Sequence, residues 1–319
     1  MSRSSVVAVV LAIAMAFTSG ATAAETYPTR TVTIVTSEPG GGSDTIARLI
    51  AQGISGPLGQ AVIVDNRTDP VAGPLVAKAA PDGYTLLVEG SVFWTEPLIR
   101  KTLYGPVKDF APITIAARQP IVLVVRKSLP VNSVSDLIAY AKSHPGRLTY
   151  GSAGIGTSTH LSSELFASLA DVPMLHVPFK GTGSAMVALL GGEIDLMFSP
   201  SASAAAQIRA GLVHALAVGS ATPSDVFPNL PTIAASGLPG YAAPGIGTGV
   251  WAPAGTPPAI IERLNQLIVH YLQSPEANAR LRSLSTDVVA DTPVQAADAI
   301  NAEMTLWQKV IKDRNIHVQ

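Results

Sequence analysis

The chain has 319 residues, of which 13% are charged, and its formal net charge at pH 7 is −1. This length is enough for two modest domains, and the lack of a basic surplus argues against nucleic acid as a partner. The sequence contains no cysteine, which excludes disulfides, thiol catalysis, thiolate metal sites and a lipid-modified N-terminal cysteine.

The N-terminal segment has the layout of a secretory signal peptide. Arg3 precedes an apolar run at 6–17, and the small residues at 21 and 23 form a cleavage site. The apolar run is too short to cross a hydrocarbon core of ~30 Å as a helix, which argues against a membrane anchor. We therefore assign residues 1–23 to a cleaved signal peptide and expect the mature protein in the periplasm.

Short β-rich runs alternate with helical patterns along the rest of the chain, and this order predicts α/β architecture with mostly parallel sheets. A first helix follows the glycines at 40–42, a second starts at Ser133 with a Ser-x-x-Asp cap, and a third runs from about Thr157 to Leu169. The predicted strands lie at 31–36, 61–64, 84–88, 121–125, 148–151, 174–177, 196–198 and 215–218.

The end of the chain is predicted to be helical. Thr256-Pro257 gives the start signal of one helix, and an apolar stripe at helical spacing follows over 260–272. Thr292-Pro293 gives the same signal for the last helix, in which we expect Trp307 to lie in the core.

Two glycine-rich loops, at 39–44 and 150–158, each lie between a predicted strand and a predicted helix. Such loops place free backbone N–H groups and hydroxyls at a helix N-terminus, which attracts anions. Two loops of this kind are expected to share one ligand beyond the C-terminal ends of the strands. The alternative is that the glycines only form tight turns and that the neighbouring hydroxyls and carboxylate only cap helices.

Common enzyme signatures are missing from the sequence, including the Gly-x-x-x-x-Gly-Lys loop, the Gly-x-Ser-x-Gly elbow and the His-Glu-x-x-His motif. The six histidines are scattered, and no second ligand accompanies His160, so we expect a structural role for it. We predict no catalytic residue, no metal and no cofactor.

The ordered motifs of the mature chain resemble those of the substrate-binding proteins of tripartite tricarboxylate transporters, the Bug family. The resemblance implies a type II-like, two-lobed periplasmic binding protein, an α/β fold with the ligand cleft between the lobes. Lobe 1 would comprise residues 25–110 plus 225–319, and lobe 2 residues 111–224. The matching segments are Gly40-Gly41 with Asp44-x-x-Ala47-Arg48, Asp65-Asn66-Arg67, Ala77-Lys78-Ala79-Ala80-Pro81-Asp82-Gly83, Pro106-Val107-Lys108-Asp109-Phe110, Tyr150-Gly151-Ser152, His176-Val177-Pro178-Phe179-Lys180-Gly181 and Ala252-Pro253-Ala254-Gly255-Thr256-Pro257.

The resemblance also implies the function. It indicates a solute-binding protein, not an enzyme, that captures a small carboxylate for a tripartite tricarboxylate-type transporter. The expected partners are the carboxylate ligand and, transiently, the membrane permease subunits of the transporter, and we expect a monomer. Two alternatives stay open: a periplasmic enzyme that acts on a carboxylate substrate, and a ligand sensor that feeds a signalling receptor.

The expected ligand-binding residues come from the two glycine loops and from the ends of neighbouring strands. In the family, the ligand carboxylate lies between the two loops, and an acidic residue often follows the strand at 196–198, where this chain has Ser199. The expected contacts are Gly41, Gly42, Ser43, Asp44, Ser91, Phe93, Trp94, Ser152, Ala153, Gly156, Thr157, Ser158, Lys180 and Ser199.

Two features suggest an aromatic or bulky ligand. Phe93 and Trp94 follow the strand at 84–88, and an aromatic ring that stacks on a ligand adds ~0.5–1.5 kcal/mol beyond area burial. Family members usually carry a tryptophan in the region of Gly247, and its absence is expected to open space in the cleft. The alternative is that the aromatic side chains pack in the core of lobe 1, and we expect one of the two to do so.

The signal peptide gives the first testable prediction. N-terminal sequencing of protein isolated from the periplasm should begin at Ala24 or Glu25, because the small residues at 21 and 23 form the cleavage site. A mature protein that retains Met1 would contradict this assignment.

Overall fold

A computed structural model describes residues 27–67 and 71–317 of the chain, so the predicted signal peptide lies outside the described residues. The strands of the larger sheet are β1 (Val32–Thr36), β2 (Val62–Asn66), β3 (Thr85–Gly90), β4 (Phe110–Gln119), β10 (Ile246–Pro253) and β11 (Asp287–Val288). Those of the smaller sheet are β5 (Ile121–Arg126), β6 (Thr149–Ser152), β7 (Leu175–Pro178), β8 (Leu196–Pro200) and β9 (Val213–Val218). The strand orders are β11-β4-β10-β3-β1-β2 and β7-β6-β8-β5-β9.

Helices cover both sheets and confirm the α/β class. The helices are α1 (Gly42–Leu58), α2 (Ala72–Ala77), α3 (Val92–Thr95), α4 (Val134–Ser143), α5 (Ser158–Ala170), α6 (Thr182–Gly191), α7 (Ser201–Arg209), α8 (Pro258–Leu272), α9 (Pro275–Ser283) and α10 (Pro293–Asp313). Short 3₁₀ turns lie at Glu96–Leu98 and Ala234–Ser236.

The prediction of mostly parallel sheets is wrong, because both sheets are mixed. In the larger sheet, β1 is parallel to β2 and β3, whereas β10 is antiparallel to β3 and β4. In the smaller sheet, β6 is parallel to β7 and β8, whereas β5 is antiparallel to β8 and β9. Parallel neighbours in one sheet need a crossover connection, which is usually a helix. Strands β4 and β5 follow one another without a helix, and they lie in different sheets.

Strands β4 and β10 were not predicted from the sequence, and their composition explains why. Pro112 interrupts the first and two glycines, Gly247 and Gly249, interrupt the second. The β4–β10 ladder shifts register between Val250 and Trp251, next to the position where Pro112 is paired. A proline is tolerated in a strand at such an irregularity because it has no N–H to donate to the ladder.

The helix start signals are confirmed at two of three predicted positions. The Ser133 hydroxyl accepts a hydrogen bond from the N–H of Asp136, and Thr292 forms a full capping box with Gln295. Thr256 does not cap α8. Its hydroxyl donates to the carbonyl of Pro253 at 2.8 Å, and the helix begins two residues later.

One core of the larger sheet lies between its strands and the helices α1 and α8. Ile46 and Ile50 from α1 and Leu264 and Ile268 from α8 belong to one buried cluster with the strands. The two helices approach closely at Gly53, where a Cβ atom would lie 2.2 Å from the ring of Tyr271.

The last helix, α10, packs against both cores. Ala296 and Ile300, in its first half, belong to a cluster of the larger sheet. Trp307 and Val310, in its second half, belong to the core of the smaller sheet, and Trp307 is buried as predicted. Helix α10 therefore connects the core of the larger sheet to that of the smaller sheet.

The predicted lobe boundaries do not coincide with the two sheets and their cores. Residues 111–119, assigned to lobe 2, form most of β4 in the larger sheet. Ile233, Leu238 and Tyr241, assigned to lobe 1, lie in the core of the smaller sheet. A family motif marked the first boundary, whereas hydrogen bonding changes sheets later, at Pro120.

A buried ion pair lies near both points at which the chain passes from one sheet to the other, namely after β4 and before β10. Nη1 of Arg118, on β4, lies 3.0 Å from Oε2 of Glu303 and 3.3 Å from the carbonyl oxygen of Pro244. Trp307 donates to the other Glu303 oxygen at 3.3 Å. Burial raises the pKa of Glu303, and the Arg118 guanidinium opposes that shift.

The close contact between α1 and α8 gives a stability prediction. Gly53→Ala should lower the free energy of unfolding by ~1–3 kcal/mol, because the added methyl group overlaps the Tyr271 ring. Gly56→Ala, in the same helix, is the matched control, since no atom lies within 4 Å of its added Cβ. Urea unfolding of both proteins measures the difference, and equal midpoints would contradict the packing described here.

Candidate functional site

The cleft cavity, of about 380 Å³, lies between the segment that follows β3 and the loops of the smaller sheet. From the first side it is lined by Ser91, Val92, Thr95, Glu96, Ile99 and Arg100. From the other side it is lined by Ala153, Ile155, Gly156, Thr157, Ser158, Thr159, Thr182 and Pro200, and Ile246, at the start of β10 in the larger sheet, also lines it. A cavity therefore lies beside the second glycine loop, where a ligand is expected from the sequence.

The glycine-loop cavity, of about 280 Å³, adjoins the cleft cavity and shares Val92 and Glu96 with it. Ser43 connects this cavity to the first glycine loop, and its Oγ lies 3.6 Å from the position that a Cβ atom on Gly90 would take. The complete lining is Ser37, Ser43, Ala72, Gly73, Glu89, Gly90, Val92, Phe93, Glu96 and Tyr104.

At the N-terminus of α5, the hydroxyls of Thr157 and Thr159 form hydrogen bonds within the loop. The Thr157 hydroxyl caps the helix at the N–H of His160 and donates to the carbonyl of Gly154 at 2.7 Å. Ser158 and Thr159 are the first helical residues, so their N–H groups have no intrahelical acceptor. The half-buried Ser158 also lines the cavity. This helix end can therefore bind an anion.

The N-terminus of α1 differs, because an acidic side chain already occupies it. The buried Asp44 accepts hydrogen bonds from the N–H of Gly40 at 2.9 Å, from Arg48 Nε at 3.0 Å and from Asn66 Nδ2 at 2.8 Å. Burial alone would raise the pKa of Asp44, but these hydrogen bonds outweigh it and lower the pKa. Asp44 therefore holds the loop in place, and its contact with a ligand stays a prediction.

A stack of three aromatic rings forms hydrogen bonds to the second glycine loop. The rings of His160 and His176 lie 4.1 Å apart, and that of Tyr150 lies 4.8 Å from His176. His160 Nδ1 accepts a hydrogen bond from the N–H of Gly156 at 3.0 Å, and His176 Nε2 lies 2.7 Å from the Ser152 hydroxyl. The structural role expected for His160 is thus a specific one, because its ring fixes the loop.

The structure brings half of the fourteen predicted contacts to the two cavities. Seven of them line a cavity wall, namely Ser43, Ser91, Phe93, Ala153, Gly156, Thr157 and Ser158. Gly41 and Gly42 are exposed on the loop next to Ser43 and stay predictions. Four polar residues that line the cavities were not predicted from the sequence, and their only signal was a place directly after a predicted strand or at the start of a helix or 3₁₀ turn: Glu89, Glu96, Thr159 and Thr182. Arg100 was not predicted either, and its position carries no such signal.

Besides Gly41, Gly42, Asp44 and Trp94, three further predicted contacts line neither cavity. Ser152 is fully buried, and its hydroxyl lies beside His176 of the ring stack. Ser199 is also fully buried, and its hydroxyl donates to the carbonyl of Pro200. Lys180 is exposed and lines neither cavity.

Trp94 is fully buried, which corrects the hypothesis of a stacking platform for an aromatic ligand. Its ring lies 3.1 Å from the position that a Cβ atom on Gly247 would take, and 5.4 Å from the Trp251 ring. Trp94 therefore fills the space beside Gly247. Phe93 lines the glycine-loop cavity, but its face already stacks on Tyr104 at 4.8 Å.

No helix among the described residues is long and apolar enough to cross a membrane. The same part of the chain contains no group of three or more His, Asp or Glu side chains that could hold a metal ion.

Comparisons with known proteins agree with this geometry. The model of the family described as tripartite tricarboxylate transporter family receptor matches residues 46–316. A protein from the tcbD–tcbE intergenic region of Pseudomonas sp. (strain P51) is 36% identical over 318 residues, covering 97% of this chain and 94% of the relative. The structure of R. palustris Rpa4515 with adipate superimposes with a TM-score of 0.73 at 36% identity, covering 91% of this chain and 99% of that one. Periplasmic binding protein BugD gives a TM-score of 0.70 at 31% identity, covering 92% and 100%.

The ring stack gives a prediction about pH. Burial, together with the neighbouring His176, lowers the pKa of His160 from its usual 6.5 to about 4, against the opposing effect of Glu164. Between these two values the unfolded chain binds a proton that the folded protein does not. The free energy of unfolding should therefore fall by up to about 3 kcal/mol as the pH decreases through this window.

The matched variant is His160→Asn, which keeps an acceptor near the position of Nδ1 but does not titrate. Urea unfolding at pH values from 4 to 7 should show a shallower pH dependence for the variant. An identical slope in both proteins would contradict the assignment of this titration to His160.

Proposed function

The chain belongs to the tripartite tricarboxylate transporter family of receptors, and on that premise we propose that it binds a small carboxylate in the cleft cavity, with the carboxylate group at the N-terminus of α5. Proteins of this family are periplasmic solute-binding receptors and not enzymes. The related R. palustris protein was solved with adipate, a dicarboxylate, which supports the ligand class.

The observation that carries the proposal is the free helix end in the cavity wall. The N–H groups of Ser158 and Thr159 and the Ser158 hydroxyl are donors that the helix itself does not use. A helix N-terminus favours an anion by ~0.3–1 kcal/mol, and by up to ~2 kcal/mol when it is partly buried. Hydrogen bonds to a charged group contribute ~1.5–3 kcal/mol each.

These contributions are sufficient for the affinity that such a receptor needs. A dissociation constant of 1 μM corresponds to ~8 kcal/mol, and several charge-assisted hydrogen bonds can supply it after the cost of ordering the ligand. The exposed glycines Gly41 and Gly42 and the Ser43 side chain are proposed to complete the site from the facing loop.

The proposal includes the cellular role. Removal of residues 1–23 on export would leave the mature protein in the periplasm, and the loaded protein would act as a monomer that transiently meets the membrane components of a tripartite transporter. Family membership supports the membrane partner.

Calorimetry against mono- and dicarboxylates tests the function. At least one should bind with a micromolar or lower dissociation constant, and chromatography of the mixture should recover it unchanged. Conversion of the ligand would favour an enzyme, and a complete lack of carboxylate binding would overturn the proposal.

A pair of variants at Ser158 tests the location of the carboxylate. Ser158→Asp places a negative charge at the first position of α5, where it competes with the ligand, and we expect affinity to fall roughly 10–100-fold. Ser158→Asn has a similar size without the charge and should stay within about fivefold of the parent protein. An acidic residue at this position favours the helix, so both proteins should fold. Equal affinities in the two variants would place the carboxylate elsewhere.

A further inference from the structure

The charged side chains of the cleft cavity form one ion pair. Among the described residues that line this cavity, only Glu96 and Arg100 are charged, and their side chains pair with each other. The Glu96 carboxylate is 6% exposed and also accepts a hydrogen bond from the Tyr104 hydroxyl at 3.2 Å. The backbone N–H of Arg100 donates to the Glu96 carbonyl at 3.0 Å, which holds the two residues one turn apart. The pair therefore adds no net charge to the cavity.

Arg100 cannot turn to a second anion without a penalty, because Glu96 depends on it. Withdrawal of the guanidinium would leave a buried carboxylate without compensation, which is strongly unfavourable. A ligand carboxylate that shared the guanidinium would lie close to the Glu96 carboxylate, and the two like charges would repel each other. This end of the cavity is therefore a poor place for the second carboxylate of a diacid.

The N-terminus of α1 is already compensated by a carboxylate of the protein itself. Asp44 is buried there, accepts a hydrogen bond from the N–H of Gly40 at 2.9 Å and pairs with Arg48. The positive end of this helix thus already faces an anion. A second ligand carboxylate on this side would meet a like charge.

The other polar side chains on the wall that faces α5 are neutral hydroxyls. The Thr95 hydroxyl donates to the carbonyl of Ser91 at 3.0 Å, and the Ser91 hydroxyl has no hydrogen-bond partner among the described residues. A hydroxyl donates a single hydrogen bond, which suits a neutral group but does not compensate a buried charge.

The rest of this part of the cavity is apolar. Val92 and Ile155 lie on opposite sides of it and are 57% and 45% exposed. The half-buried Ile99 and Ile246 also line it. These side chains lose exposed apolar surface when an aliphatic chain lies against them, which stabilises the complex.

We propose that the preferred ligand is a monocarboxylate with an aliphatic body, whose carboxylate lies at the N-terminus of α5 and whose chain lies against Val92 and Ile155. The Glu96–Arg100 pair is the feature that disfavours a second carboxylate. The inference rests on the proposed function and adds the substrate class to it.

The test compares ligands of equal length that differ only at the distal end. Calorimetry on the mature protein would use butanoate, hexanoate and octanoate with their diacid partners succinate, adipate and octanedioate. Among the monoacids, affinity should rise roughly two- to fourfold for each methylene group until the chain fills the cavity. The best monoacid should bind at least about tenfold more tightly than the diacid of the same length, because the second carboxylate loses its hydration without compensation.

The outcomes separate the inference from the proposed function. A diacid that binds as tightly as its monoacid partner, or more tightly, overturns the inference and leaves carboxylate binding intact. Monoacids whose affinity does not rise with chain length also overturn it. Failure of every carboxylate to bind overturns the proposed function and the inference with it.

Variants assign the preference to the ion pair. Glu96→Gln releases Arg100 from its carboxylate, so binding of adipate should improve about tenfold relative to hexanoate. The double variant Glu96→Gln with Arg100→Gln should lose that gain, because the cation is gone. Glu193→Gln is the control with the same chemical change, since this exposed acid lines neither cavity, and its ratio of affinities should stay that of the parent protein.

Circular dichroism shows whether each variant is folded. An unchanged ratio in folded Glu96→Gln contradicts the role of the ion pair and overturns the inference. If Glu96→Gln fails to fold, the comparison of monoacids with diacids on the parent protein decides the inference.

Discussion

The cleft depends on one buried carboxylate, that of Glu303. It lies on the helix that packs against both cores, and it accepts hydrogen bonds from Arg118 and Trp307. Arg118 also holds the carbonyl of Pro244, so both places where the chain changes sheets are connected to α10. Removing one partner of a buried ion pair typically costs ~3–5 kcal/mol, because the other charge stays without compensation. The two walls of the cleft therefore keep their relative position through a contact that lies outside both ligand cavities.

The two walls then differ in what they can offer a ligand. Next to the smaller sheet, the hydroxyls of Thr157 and Thr159 form hydrogen bonds within the loop. The backbone N–H groups at the start of α5 have no intrahelical acceptor and stay available to a ligand. This wall is electropositive without any basic side chain, and the neutral ring of His160 helps to keep it in shape. In the larger sheet, Ser91, Glu96 and Arg100 line the cleft cavity, and the Glu96 carboxylate is paired with the Arg100 guanidinium. The first wall fits any carboxylate, so selectivity among carboxylates is expected to come from the second.

Local patterns were predictable from the sequence, and long-range complementarity was not. The caps at Ser133 and Thr292 were correct because a cap is decided by residues three apart. Strands β4 and β10 were missed because their proline and glycines are accepted only through the register shift that they form together. Both glycine loops were placed correctly at strand ends. Trp94 was misjudged because its burial depends on the missing side chain of Gly247, more than 150 positions away along the chain.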